Sequence, residues 1–408
     1  MEVLHPKCAG LDVHKDSVVA CARIQQGRKT THQVETFGAT TQELLRLSEW
    51  LSEREVTHVA MEATGVYWKP VWHVLDETFE LVLANAMHIK NVPGRKTDVN
   101  DATWIADLLA HGLIRSSFVP PTPIQDMRTL MRTRKQLVRE RAQHVQRIQK
   151  TLEDANLKIA SVVSDVTGPS GRAILQALID GKTNPEELLA TTTGRLHAAP
   201  STLLEALRGR IRRPHQFLLK LHLDQIDALE KSIAGIDAEV GALLNPFRAK
   251  VARLMTIPGI SDVTAQVLVS EIGVDMSRFP TSGHLMSWAG LCPRNDESAG
   301  KRRSTRLRQG APWLKPTLVQ AAWSAARCKE GYLPVQFRRI KSRRGPKKAI
   351  IAVAASMLTA AYYMLRDDLD YHDLGSDYFD RRDRKRAASR LVKRLSDLGF
   401  TVEIKEAA

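Results

Sequence analysis

Apolar residues in the first hundred positions fall into short blocks. Cys8 to His14 (CAGLDVH) and Ser17 to Ile24 (SVVACARI) are brief and apolar, and Lys15-Asp16 parts them, so they predict a β-hairpin. A third strand is expected across His32 to Phe37. Thr40-Thr41-Gln42-Glu43 reads as a helix start, continued at helical period by Leu44, Leu45, Leu47, Trp50 and Leu51. Thr57 to Met61 predicts a fourth strand ending at Glu62, Gly65 to Leu75 a helix, and Leu81 to Ala84 a fifth strand. Next comes Lys96 to Ala110, KTDVNDATWIADLLA, which opens with Asp98 and Asp101 and turns apolar at helical period. A helix there sets both carboxylates on one face of its first turn.

Three strands before the first helix predict a mixed sheet with helices on its faces, as in an RNase-H-like fold. Pro120-Pro121-Thr122-Pro123 then breaks the chain. A long helix is expected from Thr122 to about Asp165, with a sparse apolar stripe (Met127, Leu130, Met131, Leu137, Val138, Val145, Ile148, Leu152). Thr167-Gly168-Pro169-Ser170-Gly171 interrupts it. Small helices follow at Ala173 to Ile179, after Asn184, and at Ser201 to Leu207, before a second long helix from about Pro214 to Leu244. Narrow stripes on two long polar helices predict a coiled-coil or helical-hairpin arm. After Pro246 the chain turns compact. Leu254 to Glu271 (LMTIPGISDVTAQVLVSE) matches a helix-hairpin-helix, whose glycine permits a tight turn and whose second helix start can hold a phosphate. An ordinary helical hairpin fits the same letters. Ser282 to Leu291 predicts a helix leading into a loop at residues 292–310.

Charge narrows the partners. A net charge of +15 argues for a polyanion, most often nucleic acid. The arm helix is lopsidedly basic, and further basic runs lie at Lys301 to Arg308 and Arg338 to Lys348. No run is read as a membrane span: Ala349 to Leu365 holds Ser356, Thr359 and two tyrosines and reads as a buried helix. No secretory signal is apparent in Met1 to Lys15, and Cys8, Cys21, Cys292 and Cys328 form no CxxC pair. A soluble cytoplasmic protein is expected.

Four acids stand out. Asp12 falls inside the first apolar strand, Glu62 at the end of the fourth, and Asp98 and Asp101 on the helix after the fifth. Read singly, Asp98 and Asp101 complement a helix dipole and Asp12 pairs with Lys15 or another base. Read together, they suit a divalent metal that activates an attacking oxygen and stabilises a leaving one. In the 292–310 loop, Ser298 precedes Ala299-Gly300 and then Lys301, Arg302, Arg303, Arg306 and Arg308. Small neighbours let a backbone approach the serine, and clustered arginines suit phosphate. A plain loop fits as well.

GLDVHK (10–15), MEATGVYW (61–68), KTDVNDATWIA (96–106), the IPGI turn and AGLCPRNDESAGKRRS (289–304) together resemble the DEDD transposases of insertion sequences. That family comprises bridge-RNA-guided serine recombinases with a Holliday-resolvase-like N-terminal domain, related to pilin-gene invertases. The resemblance implies that Asp12, Glu62, Asp98 and Asp101 hold Mg²⁺ or Mn²⁺. It also implies that Ser298 attacks DNA to form a phosphoserine link, with Ser304 as the fallback because many relatives carry glycine where this chain has Ala299. It further implies donor and target DNA, a structured guide (bridge) RNA, dimers pairing into tetramers and a bacterial nucleoid location. Nucleic-acid contacts are then expected at Arg132, Arg139, Lys301, Arg302, Arg303, Arg306, Arg308, Arg343, Arg344 and Lys347.

The expected domains are an RNase-H-like α/β catalytic domain at 1–121, the coiled-coil arm at 122–245, a mostly helical transposase domain with helix-hairpin-helix and serine loop at 246–375, and a tail at 376–408. Two alternatives stay open: a metal-dependent junction resolvase that hydrolyses DNA, and a non-enzymatic nucleic-acid-binding protein.

Overall fold

In the computed structural model, which describes residues 2–63, 65–85, 89, 100–192, 198–294, 296–298, 300–304, 306–308 and 310–403 (backbone alone at 296–298 and 302–303), the expected hairpin forms. Strands β1 (Lys7–Val13) and β2 (Ser17–Gln26) run antiparallel, with Val13 opposite Val18 and Lys15-Asp16 at the tip. Strand β3 (Lys29–Gly38) is longer than expected and exposed along most of its length. Its polar letters give no alternation to read, and it forms because an edge strand needs only one neighbour's backbone. Helix α1 (Thr41–Ser52), β4 (His58–Glu62), α2 (Trp68–Leu75), β5 (Glu80–Ala84) and α3 (Asp101–Ala110) follow. Helix α2 starts three residues later than expected, after Gly65 at φ +54°.

The sheet order is β3-β2-β1-β4-β5, with β1, β4 and β5 parallel and β2 antiparallel to both of its neighbours. One face buries Leu11, Val13, Phe37 and Met61 against Leu44, Leu47 and Leu51 of α1 and Val71 and Leu75 of α2. The other buries Cys8, Ala60 and Ala84 beneath Ile105, Leu108 and Leu109 of α3. This mixed α/β unit spans Met1–Val119, and a mostly helical unit spans Pro120–Ala408.

In the helical unit, α4 (Thr122–Asp154) packs along α5 (Arg213–Leu243). The pairs Arg134–Asp237, Arg141–Glu230 and Asp154–His215 show the two running antiparallel. Helix α4 stops about ten residues short of the expected end at Asp165. Asn156 takes the left-handed position at φ +55°, while Leu157 donates to the Leu152 carbonyl (2.8 Å) and Asn156 to that of Glu153 (3.0 Å), closing a Schellman cap. Helix Pro169–Ile179 begins on the proline that was read as part of an interruption, because a proline at the first helical position lacks only an N–H that would be unpaired anyway.

The basic arm corrects an expectation. Its charges looked unbalanced along the chain, yet most are answered across the fold. Arg134 meets Asp237 and Arg141 meets Glu230, while Lys135 donates to the Trp313 carbonyl (2.9 Å) and to Thr317 Oγ1 (3.0 Å). Arg132 forks onto Glu271 with two 2.8 Å bonds, and Glu271 is 2% exposed. Arg128 donates to the carbonyls of Ser270 (3.1 Å) and Glu271 (2.8 Å), capping helix Asp262–Ile272, and burial pulls its guanidinium down to about 10.

Helix Pro346–Asp367 is the centre of the C-terminal core. Ile350, Val353, Met357, Leu358, Ala361 and Leu365 are buried, and Tyr362 Oη donates to the Phe279 carbonyl (2.9 Å). The helix is in fact long and apolar enough to cross a membrane by length and composition, since its serine and threonine do not interrupt it as counted from sequence. Its apolar face packs on neighbouring helices.

Replacing Arg132 with alanine leaves the Glu271 carboxylate buried without its fork. Urea unfolding is expected to show a loss of about 3–5 kcal/mol. A loss under about 1 kcal/mol would mean that Arg128 suffices as the counter-charge.

Candidate active site

Strand alternation puts Cys8, Gly10 and Asp12 on one face of β1, the face that α3 covers. A methyl group on Gly10 would lie 2.2 Å from the Ala102 carbonyl oxygen and 2.4 Å from the Ala106 nitrogen, so helix and strand backbones touch there. One pleat earlier, Cys8 Sγ donates to the Ala106 carbonyl at 3.5 Å. Moving along β1 toward Asp12 therefore means moving back along α3 toward its first residue, Asp101. Val19, directly opposite Asp12 on β2, packs against Cys21, Ala102 and Ala106. Leu11 pairs with Met61 on the parallel neighbour β4, so Asp12 and Glu62 are the next residues along adjacent strands, about 4.8 Å apart in strand spacing. Asp12, Glu62 and Asp101 thus share one end and one face of the sheet.

Asp12 is half-buried, 24% exposed at its side chain, and of the bases expected beside it, Lys15 or another, the partner is His14: Nε2 and Oδ2 lie 3.2 Å apart. Helix α3 begins at Asp101, because Asn100 is extended at ψ 137° and its side chain accepts from the Ala102 nitrogen (3.0 Å). Of the pair expected to share a first turn, Asp101 is the first helical residue, and Asp98 lies outside the described residues. Asp101 sits where the helix dipole favours a negative charge. The far end of α3 is held by Asp107, which accepts from buried Arg23 Nε (2.9 Å) and faces His32 Nε2 (3.1 Å).

Carboxylate oxygens that water can reach fit a hard divalent cation in kind. Among the described residues, no group of three or more His, Cys, Asp or Glu side chains is gathered as a ligand set. The two thiols beneath this site are poor nucleophiles: burial pushes Cys8 up to about 12 and raises Cys21.

The second candidate region belongs to the helical unit. Residues 292–310, expected as a loop, contain a hairpin of β6 (Asp296–Ser298) and β7 (Lys301–Ser304), with Ser298 opposite Lys301 and Gly300 at φ +73°. Every letter of these strands is polar, so no apolar alternation announces them. The ladder continues downward through the Pro293–Leu307 bridge to a neck where Gly290 and Gly310 touch, since a methyl on Gly310 would lie 2.2 Å from the Gly290 nitrogen. Ser298 stands at the tip, and Ser304 Oγ accepts from the Arg306 nitrogen (3.2 Å).

Of the expected nucleic-acid contacts, Arg132 is committed to Glu271, and Arg139 lies over the Trp313 ring at 5.6 Å. Lys301 and Arg306 are exposed, and Arg308 donates to Ser287 Oγ (3.0 Å). Arg302 and Arg303 lie on β7. Arg343, Arg344 and Lys347 are exposed around Gly345, at φ +80° between two helices. In the predicted helix-hairpin-helix, Ser261 Oγ takes the Thr264 nitrogen (3.3 Å), and Gly259 lies against helix Leu314–Ala325.

Two family models match. One, for DEDD transposases of the IS110 type, covers residues 9–157, and the other, for the transposase IS116/IS110/IS902 family, covers 251–334. The chain belongs to the IS110 transposase family. The family match takes in the sheet end with Asp12, Glu62 and Asp101 and the Ser298 hairpin. The transposase for insertion sequence element IS1111A of Coxiella burnetii is 23% identical over 85% of this chain and 86% of its own length. The transposase for IS1328 of Yersinia enterocolitica is 25% identical over 68% and 73%. The pilin gene-inverting protein of Moraxella bovis is 29% identical over 36% of this chain, and the matched part spans about half of that relative, 47%.

Sequence reading had not singled out Gly10 or His14, although both stand in the GLDVHK stretch. A glycine two positions before a strand acid was the available signal. Gly10→Ala should push α3 off β1. An overpacking cost of about 1–3 kcal/mol is expected in thermal melts, and an unchanged melting temperature would show that the helix can move aside freely.

Proposed function

We propose that the protein is an insertion-sequence transposase that cuts and rejoins DNA through Ser298, with Asp12, Glu62, Asp98 and Asp101 holding Mg²⁺ or Mn²⁺ and a structured RNA guiding the choice of donor and target. The observation that carries this reading is the placement of Asp12 and Glu62 on adjoining strand ends, on the face where α3 begins at Asp101. The sheet order, antiparallel on one side and parallel on the other, supports an RNase-H-like reading of the unit.

The cation, when bound, would stabilise charge on the attacking and leaving oxygens of a phosphodiester. The chain's own part is separate. Ser298 Oγ bonds to phosphorus and loses its proton, the bond from phosphorus to a sugar oxygen breaks, and that oxygen takes up a proton. The phosphoserine link conserves bond energy, so a second sugar hydroxyl can reverse the step on another strand. What favours Ser298 over Ser304 is its place at the hairpin tip, whereas Ser304 Oγ serves the Arg306 nitrogen. Exposed Lys301 and Arg306 would hold phosphate beside it. The antiparallel arm is the surface proposed for pairing subunits into dimers and tetramers.

A covalent-trapping assay tests this. Protein co-expressed with RNA from the element's flanks is mixed with labelled junction DNA and Mg²⁺ and run on a denaturing gel. An adduct is expected, absent with EDTA and reduced at least a hundredfold in both Ser298→Ala and Asp101→Asn (about 3 kcal/mol of transition-state stabilisation). Cleavage without an adduct, untouched by Ser298→Ala, would make the protein a hydrolytic resolvase.

A further inference from the structure

Helix Tyr332–Arg344 and helix Arg384–Asp397 border a cleft of about 610 Å³ that lies entirely beyond the last family-matched residue, 334. Five arginines line it. Arg390 pairs with Asp380 (3.0 Å), but Arg338, Arg339, Arg343 and Arg386 have no carboxylate partner among the described residues. The other acid present, Asp383, is occupied as a helix cap, accepting from the Arg386 nitrogen (3.2 Å). Arg343 Nε donates to the Arg339 carbonyl (3.3 Å), but no carboxylate among the described residues neutralises these four guanidiniums, and like charges around one concavity repel each other. On the arm, by contrast, Arg134, Arg141 and Arg132 are matched to Asp237, Glu230 and Glu271.

The aromatic ring at the cleft does not read a base. Phe379 already carries Tyr332 stacked at 5.2 Å and 18°, and the Arg339 guanidinium 5.2 Å from its centroid. The guanidiniums remain as the recognising groups, and their flat forks match phosphate oxygens. We propose that this cleft is a phosphodiester clamp that grips a nucleic-acid backbone without regard to sequence. The proposal rests on the nucleic-acid reading above and adds a grip remote in sequence from both candidate catalytic segments.

The test uses full-length protein in the Ser298→Ala background, so cutting does not enter. Fluorescence anisotropy follows mixed-sequence single-stranded RNA, single-stranded DNA and duplex DNA across a salt series. In the Arg338→Ala/Arg343→Ala/Arg386→Ala variant, the slope of log affinity against log salt should fall by about 2 for single strands, with roughly tenfold weaker binding at low salt. Loss on RNA alone assigns the clamp to the guide, loss on DNA alone to donor or target, and loss on all three to the shared backbone. An unchanged slope on all three overturns the clamp. The three exposed side chains anchor nothing acidic, so the melting temperature should hold. The corresponding triple lysine variant should keep the slope, and if it loses as much as the alanine variant, positive charge is not what the cleft supplies and the proposal falls. Failure of the trapping assay with an intact salt response would overturn the recombinase reading alone.

Discussion

Helix and strand backbones can touch only where no side chain intervenes, and Gly10 is the residue that permits it. The Ala102 carbonyl and the Ala106 nitrogen occupy the space where a Cβ would stand. That contact fixes both the position and the polarity of α3. With Cys8 under Ala106 and Gly10 under Ala102, the helix must begin at the end of the sheet where Asp12 and Glu62 emerge. The Arg23–Asp107–His32 cluster pins the opposite end. Asp12, Glu62 and Asp101, from distant parts of the chain, therefore stand at one end of the sheet because of a missing methyl group.

Charge is distributed unevenly between work and architecture. The long arm helix spends Arg128, Arg132, Arg134, Lys135 and Arg141 on carbonyls, a hydroxyl and carboxylates of its own unit. A buried carboxylate such as Glu271 is tolerable only with such a fork, so these arginines hold the helices together and are poorly placed to release them for phosphate. The surplus behind the net charge of +15 is carried elsewhere, by the serine hairpin, the Gly345 corner and the C-terminal cleft.

The hairpin repeats the glycine device in another form. Gly290 ends a helix in the left-handed conformation and touches Gly310, which closes a narrow neck. The strands above the neck are paired through their backbones, Asp296 with Ser304 and Ser298 with Lys301, and their letters (DES and KRRS) are all polar.

Much of the first unit was legible because its strands are short apolar blocks whose period differs plainly from that of its helices. The strands, their order along the chain and the position of Glu62 at a strand end followed from that pattern, whereas Asp12, read inside its strand, stands one residue from the end of β1. The start of α3 did not: Asn100 and Asp98 are equally good capping letters, and only the backbone chose Asn100. The Ser298 hairpin was illegible because its strands are uniformly polar. The charge balance of the arm was illegible for a related reason. Asp237, Glu230 and Glu271 lie about ninety residues or more from their arginines, and no window along the chain contains both. Local periodicity belongs to the sequence, since it reports which face of an element meets the core. The partner of each charge and the placing of Asp12, Glu62 and Asp101 at one end of the sheet were decided only by tertiary packing, because they depend on which distant backbones a glycine or a fork allows to approach.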